Sequence, residues 1–336
     1  MSAVEMEQLA GARGRLVTHR LSQVQSRIPV LQLLALIAVF LYGSISLPGF
    51  SSWSSLRTIL VLAALAGLAS VGQTVLILMG GFDLSVSGFI VASALVMTTL
   101  TQKYNLSFGV ALLIAAVACG VLGAIAGQLC HRYRIQPLIV TLAMGTIAVG
   151  LIQLQVGALA GGAPLWLTRL VSPIDKTFGL GVPPLIFIWV LVAVVMWVFV
   201  HRTVPGRRLL ATGANPRAAE YSLIRTRRMW TMCFAFSGIA SALAAALIAG
   251  SVAAIDPTVG DPYLFQSVVA VIVGGTVFGG PGDYTRSVIG ALFLTVLTTV
   301  FVGHGADSAD EDILYGVILM ATMTLYGRQR RVRDRI

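Results

Sequence analysis

The chain has 336 residues, 57% of them hydrophobic and 11% charged, against about 45–50% and about 25% in soluble domains. A water-soluble fold has no means of hiding that much apolar surface, so the composition excludes an ordinary soluble globule. The formal net charge of +10 raises nucleic acid as a partner, and the placement of the basic residues along the chain decides against it below.

Residues 1–28 form a polar tail carrying Arg13, Arg15, Arg20 and Arg27. No small-residue cleavage signal follows the first apolar run, so the tail reads as uncleaved and cytoplasmic, with an interfacial helix expected over 13–27. A helix needs about 20 apolar residues to cross the hydrocarbon. About ten such runs follow within 29–326, at 29–48, 58–80, 86–101, 106–130, 137–158, 183–201, 229–250, 265–280, 287–303 and 312–326. The expected fold is therefore all-α and polytopic, with about ten transmembrane helices. The third, eighth and tenth runs are short and are expected to be tilted, broken or partly re-entrant, because irregular backbone at membrane depth is tolerated only inside protein or along a watery cavity. Residues 327–336 form a basic cytoplasmic tail.

Two glycine-rich breaks interrupt the apolar pattern. The first is Gly80-Gly81-Phe82-Asp83-Leu84-Ser85-Val86-Ser87-Gly88, and the second runs from Gly274-Gly275-Thr276 through Gly279-Gly280 to Asp283. Glycine lets the backbone unwind, and a neighbouring Asp or Ser caps the freed amides of the next helix, so each break is expected to join two half-helices. Their separation of about 195 residues points to two structurally related halves. Tight helix packing through Gly123 with Gly127, and Gly275 with Gly279, is the competing reading for any single glycine. For Asp83, flanked by Ser85 and Ser87, a functional role is the stronger reading, since a carboxylate at membrane depth is costly filler.

The longest cytoplasmic connection is 202–228. Pro205-Gly206-Arg207-Arg208 reads as a turn, Gly213-Ala214-Asn215-Pro216 as a helix stop and start, and Arg217-Ala218-Ala219-Glu220-Tyr221-Ser222 as a short helix. Such a helix suits the docking of a soluble partner, and it equally suits a basic loop that anchors the topology.

With the N-terminus inside, ten spans put all of the 23 basic residues on the cytoplasmic side except Arg57, Lys103, Arg169 and Lys176. That asymmetry is the positive-inside rule, with both termini cytoplasmic, and it makes the arginines topological anchors rather than a nucleic-acid surface. Cys119, Cys130 and Cys233 fall within or at the ends of spans, so neither a disulfide nor a metal site is expected. His19, His131, His201 and His304 are scattered, and no H-E-x-x-H or G-x-S-x-G occurs, so no enzyme is expected. The middles of the spans lack carboxylates and histidines, which disfavours ion-coupled carriage. Neither lysine, Lys103 or Lys176, follows a Walker A glycine loop, so ATP, if it drives this protein, is bound elsewhere.

Four ordered motifs complete the reading. Gly80-Gly81-Phe82-Asp83-Leu84-Ser85-Val86-Ser87 is close to G-G-[IF]-D-L-S-V-G, and Arg134-Ile135-Gln136-Pro137-Leu138-Ile139-Val140-Thr141-Leu142 to R-[IV]-x-P-[FL]-I-V-T-L. The segment from Gly206 through Gly213-Ala214-Asn215-Pro216 to Ala219 is close to G-R-x-[IL]-x-A-x-G-x-N-x-x-A-A, and Val273-Gly274-Gly275-Thr276 with Gly279-Gly280 and Ile289-Gly290-Ala291 to V-[IL]-G-G-T-x-x-x-G-G and I-G-A-L. Across about 55–326 the chain thus resembles the ribose/xylose/galactose-type permeases of bacterial ABC importers, a family that also contains branched-chain amino acid permeases.

The resemblance implies a bacterial inner-membrane permease that pairs with a second permease copy, with a cytoplasmic ATPase and with a periplasmic or lipid-anchored sugar-binding protein. ATP and magnesium would sit in the ATPase, leaving no cofactor in this chain. It implies a translocation path for a neutral sugar that includes Gly80, Gly81, Asp83, Ser85, Ser87, Thr141, Gly274, Gly275 and Thr276. It also implies an ATPase-coupling segment with Gly213, Asn215, Pro216, Ala218, Ala219, Glu220, Leu223 and Ile224. Ser87-Gly88 reverses the family's usual Gly-Ser, Leu223 stands where glycine is usual, and Thr298-Thr299 where asparagines are common. A stand-alone secondary carrier or channel, and a permease for branched-chain amino acids or nucleosides, remain the alternatives.

Overall fold

The computed structural model describes residues 29–156, 162–174, 181–252 and 254–333. The interfacial helix expected over 13–27 lies outside them. Every element among the described residues is a helix: α1 (Val30–Ser46), α2 (Trp53–Met79), α3 (Ser85–Lys103), α4 (Phe108–Tyr133), α5 (Pro137–Val156), α6 (Leu165–Val171), α7 (Pro184–Arg202), α8 (Val204–Ala214), α9 (Pro216–Tyr221), α10 (Thr226–Ser251), α11 (Asp261–Val273), α12 (Tyr284–Gly303) and α13 (Ser308–Arg333).

Seven of these, α2, α3, α4, α5, α7, α10 and α12, are long and apolar enough to cross a membrane. Each of the ten runs read from the sequence coincides with a helix, but the eighth differs in extent. It was expected over 265–280, whereas α11 begins at Asp261 and stops at Val273, because Gly274 and Gly275 release the backbone there. Its 13 residues rise about 20 Å, well short of the roughly 30 Å hydrocarbon core. Pro205 through Arg208, read as a turn, instead make the first turn of α8. Proline is tolerated there because the first amides of a helix have no intrahelical partner.

Local chemistry sets the helix ends. Ser52 accepts from the Ser55 amide to start α2, and Ser107 from the Val110 amide to start α4. α2 is the central pillar: all of it from Ala63 to Met79 is buried, and it packs against α10, α11, α12, α7 and α8. α4 and α10 meet backbone to backbone. A Cβ at Gly123 would fall 2.3 Å from the Phe234 carbonyl oxygen, and one at Gly238 would fall 2.2 Å from that of Cys119. Gly127 likewise faces the Trp230 carbonyl, so the packing role read for Gly123 and Gly127 holds. Gly275 and Gly279 lie in the loop after α11 rather than in a helix, so that role does not apply to them. The outward faces of α4 and α7 expose Leu113, Val117, Val121, Leu191, Val194 and Val195, an apolar surface suited to lipid.

The helices order two ends. At one, His131 of α4 meets Thr226 of α10, α8 abuts the end of α2, and His201 of α7 lies 3.7 Å from Asp283. At the other, Gln102 reaches the Gly162 carbonyl, Phe108 stacks edge-on against Trp166, and His304 meets Ser46.

Candidate functional site

The first break is a re-entrant turn. α2 closes on Gly80 in the left-handed region, φ 88°, a conformation glycine adopts without steric cost. The chain then doubles back along α2, for the Asp83 amide donates to Gln73 Oε1 at 3.2 Å. Gln73 precedes the end of α2 at Met79 by six residues, so Asp83 sits roughly 9 Å inside that end of the helix.

There the carboxylate is only 1% exposed. One oxygen accepts from the Ser85 amide at 2.8 Å and from the Ser85 hydroxyl, and the other accepts from Ser237 Oγ of α10 at 2.6 Å. Leu84 N–H donates to Thr141 Oγ1 at 2.9 Å, and that hydroxyl donates back to the Pro137 carbonyl at 2.8 Å. Asp83 thus takes the first amide of α3 and ties α2, α3 and α10 together, while Thr141 ties in α5. Gly88, next to Ser87, lets α3 touch α5: a Cβ there would lie 2.5 Å from the Gly145 carbonyl oxygen. Ser87 faces the start of α11, with Oγ 3.5 Å from Asp261 Oδ1.

The second break repeats the local recipe. Gly275 takes φ 97° after α11, and Asp283 caps α12 by accepting from the Arg286 amide at 3.2 Å and from Thr285 Oγ1 at 2.5 Å. Thr276 Oγ1 donates to the Asp283 carbonyl at 3.3 Å, and Arg286 Nη1 to the Gly275 carbonyl at 3.1 Å. Gly274 lies so close to α12 that a Cβ would fall 2.0 Å from the Arg286 carbonyl oxygen. The two breaks also touch. Gly279 N–H donates to the Ile77 carbonyl at 2.9 Å, and the Phe82 and Phe278 rings lie 4.3 Å apart.

The 202–228 connection is helical and packed against this region. Gly213 is buried, and a Cβ on it would lie 2.0 Å from the Leu78 carbonyl oxygen, so α8 rests on the end of α2 beside the first break. Asn215 ends α8 and starts α9, accepting from the Ala218 amide at 3.1 Å, with Pro216 in the first turn. Ala219 is buried beneath α9, and Ile224 N–H closes the turn on its carbonyl at 3.0 Å. Tyr221 and Leu223 point away from the chain at 90% and 91% exposure. Leu223 has φ 61°, so the position where the sequence pattern calls for glycine does require left-handed backbone.

Asp83, Ser85 and Thr141 therefore converge on one buried polar cluster, with Gly80 and Gly81 shaping the turn that delivers them. Gly274, Gly275 and Thr276 form the neighbouring break, and Ser87 looks toward α11 instead. Gln73 and Ser237 belong to the cluster and were not picked out from the sequence. Gln73 is the lone carboxamide of an uncharged run whose nearest polar neighbours are Ser70 and Thr74, a signal that a search for ionisable groups passes over. Among the described residues no group of three or more His, Cys, Asp or Glu side chains is arranged to hold a metal, and the three cysteines there are unpaired and buried. The arrangement offers hydroxyls, amides and one fully engaged carboxylate, which suits shaping and hydrogen bonding rather than bond-making chemistry.

Comparison with known proteins agrees with that chemistry. The sequence model of the family described as "Branched-chain amino acid transport system / permease component" matches residues 55–323. The chain is similar to the ribose import permease protein of Bacillus subtilis (strain 168), 30% identical over 87% of this chain and 90% of that protein. It is also similar to the fructose import permease protein of Rhizobium meliloti, 27% identical over 91% and 86%. The autoinducer 2 import system permease protein of Escherichia coli (strain SMS-3-5 / SECEC) is 28% identical over 76% and 79%. No solved structure matches the chain.

Proposed function

The chain belongs to the family of branched-chain amino acid transport system permease components, and we propose that it is the permease subunit of a bacterial ABC importer for a neutral sugar. It is a multi-pass inner-membrane protein that depends on a separate ATPase for energy and on a binding protein for delivery. The observation that carries the sugar assignment is the near full-length similarity to ribose and fructose import permeases. The chemistry of the chain supports it. The polar groups gathered around the first break are hydroxyls and amides, and the one carboxylate, Asp83, already accepts from Ser85 and Ser237. A neutral polyol needs hydrogen-bonding partners and no counter-ion.

In this reading the two touching breaks shape the conduit, with Gly80, Gly81, Asp83, Ser85, Ser87, Thr141, Gly274, Gly275 and Thr276 along or behind its wall. Both termini and the 202–228 connection face the cytoplasm, where α9 seats on the ATPase through exposed Tyr221 and Leu223. A second permease copy completes the membrane unit, and a periplasmic or lipid-anchored protein brings the sugar. ATP and magnesium belong to the ATPase.

Proteoliposomes holding the permease, its ATPase and its binding protein test the assignment with radiolabelled ribose and fructose. Uptake of either sugar that requires ATP and all three proteins is expected. Accumulation against a gradient by the purified chain alone overturns the importer reading, and ATP-driven uptake of leucine in place of both sugars overturns the substrate class.

A further inference from the structure

The polar side chains at the start of α10 do a job that helix α10 itself does not need. Thr226 is the first residue of α10 and is 4% exposed, and no side chain caps that helix start. Its hydroxyl instead points sideways. Thr226 Oγ1 donates to Glu220 Oε1 of α9 at 2.6 Å, and the same oxygen lies 3.1 Å from His131 Nε2 near the end of α4. Because the one hydroxyl proton goes to the carboxylate, the oxygen faces the ring as an acceptor, so His131 carries its proton on Nε2. The chain of donors then has one sense, from His131 through Thr226 to Glu220. Glu220 gains little from α9 itself, since a carboxylate in the last turn of a helix opposes the dipole.

What the relay joins gives it meaning. α9 is a short helix of six residues, held to the bundle by buried Ala219 and to α10 by the brief connection through Leu223 and Ile224. α4 and α10 are in backbone contact along Gly123, Gly127 and Gly238, so they move as one slab. α8 reaches a different place, the end of α2 at Leu78. Force applied to α9 therefore leaves by three routes: through α8 to the first break, along the chain itself into α10, and through Glu220 and Thr226 to His131, the last reaching α4 directly. We propose that Glu220–Thr226–His131 is a positioning strut that transmits displacement of α9 by the ATPase to α4 and α10. This rests on the importer reading above, in which α9 is the ATPase seat. An apolar contact would hold α9 in place equally well at rest, whereas a directed hydrogen-bond chain resists both pulling and sliding.

Amide hydrogen exchange of the full chain in nanodiscs, with and without its nucleotide-loaded ATPase, reads the transmission directly. In the wild type, docking is expected to slow exchange at 216–224 and also at the end of α4, 127–133. Thr226→Val keeps the side-chain shape and removes the relay. It is expected to retain protection at 216–224 and to lose about fivefold of the slowing at 127–133, the effect of one ordinary hydrogen bond. Thr226→Ser and His131→Gln, which keep the hydroxyl and an N–H donor respectively, are expected to keep it. A merely structural role for Thr226 moves exchange equally with and without the ATPase, so equal effects overturn the strut. Full protection at 127–133 in Thr226→Val, or none there in a wild type protected at 216–224, overturns it as well. A wild type with no protection at 216–224 brings down the ATPase seat itself, which separates failure of the importer reading from failure of the strut.

Discussion

Asp83 is the residue on which the first break turns, and two substitutions separate its shape from its charge. In Asp83→Ala, the Ser85 amide, the Ser85 hydroxyl and the Ser237 hydroxyl all lose their acceptor. The Ser237 hydroxyl has a partial remedy, because a serine inside a helix can turn to a carbonyl in the preceding turn, as Ser241 does toward Ser237 and Ser70 toward Gly67; the Ser85 hydroxyl, at the first residue of α3, has no such turn behind it. The Ser85 amide has none. One buried orphan costs about 1–3 kcal/mol, so with Ser237 relieved and the two Ser85 groups left without an acceptor we expect Asp83→Ala to destabilise by roughly 3 kcal/mol. Asp83→Asn keeps an oxygen for the Ser85 amide and presents an NH2 that Ser237 accepts from, at a cost of about 1 kcal/mol. Thermal unfolding in a fixed detergent, followed by thiol labelling of buried Cys119 and Cys233, measures both. At about 1.4 °C per kcal/mol for a chain of 336 residues, the alanine variant should melt about 4 °C low and the asparagine variant about 1.5 °C low. An alanine variant that melts with the wild type refutes the idea that this carboxylate holds the break. An asparagine variant as weak as alanine shows that the charge, and not the acceptor geometry, is what the site needs.

Glycine substitutions should sort by the space the structure leaves. A Cβ at Gly290 would lie 1.9 Å from the Ala270 carbonyl oxygen, while Gly150 has nothing within 4 Å. Gly290→Ala should therefore cost about 1–3 kcal/mol by forcing α11 from α12, and Gly150→Ala should be neutral or stabilise by about 0.5–1 kcal/mol, both read as melting shifts in detergent. Leu223→Gly should leave the melting temperature of the isolated chain nearly unchanged, since relief of about 1 kcal/mol of left-handed strain offsets about 0.5–1 kcal/mol of added chain freedom. The same variant, like Tyr221→Ala, should weaken ATPase binding by roughly tenfold, the loss of about 1.4 kcal/mol of interface contact. Surface-bound ATPase titrations check this, and wild-type affinity in both variants counts against α9 as the seat.

How far the sequence foretold this structure follows from the range of the forces involved. Apolar runs, the stop and start at Asn215-Pro216, and the caps at Asp83 and Asp283 are local, and each lies where composition and capping chemistry place it. The early end of α11 was misjudged because hydropathy continues through Val277 and Phe278 after Gly274 and Gly275 have freed the backbone. Gly206 was misread for a related cause. It suggests a turn beside Pro205, yet it serves close approach, since a Cβ there would lie 2.1 Å from the Phe199 carbonyl oxygen. The partners of Asp83 were harder still. Ser237 is 154 positions away in the chain, and a serine in an alanine-rich helix carries no mark of the carboxylate it meets.

Leu223 shows what the two kinds of information yield together. The sequence pattern marks it as the wrong residue for a glycine position, and the structure shows why glycine is usual, with φ at 61°. A leucine there costs about 1 kcal/mol of backbone strain, and at 91% exposure its side chain recovers almost none of that by packing within this chain. Strain that the chain's own core does not repay is tolerated where the exposed group has work to do on another molecule. Tyr221, two residues earlier and equally bare, is the last residue of α9 and the second large side chain exposed at this end of the helix. Asn215, Ala219 and the Glu220–Thr226 bond fix the orientation of α9.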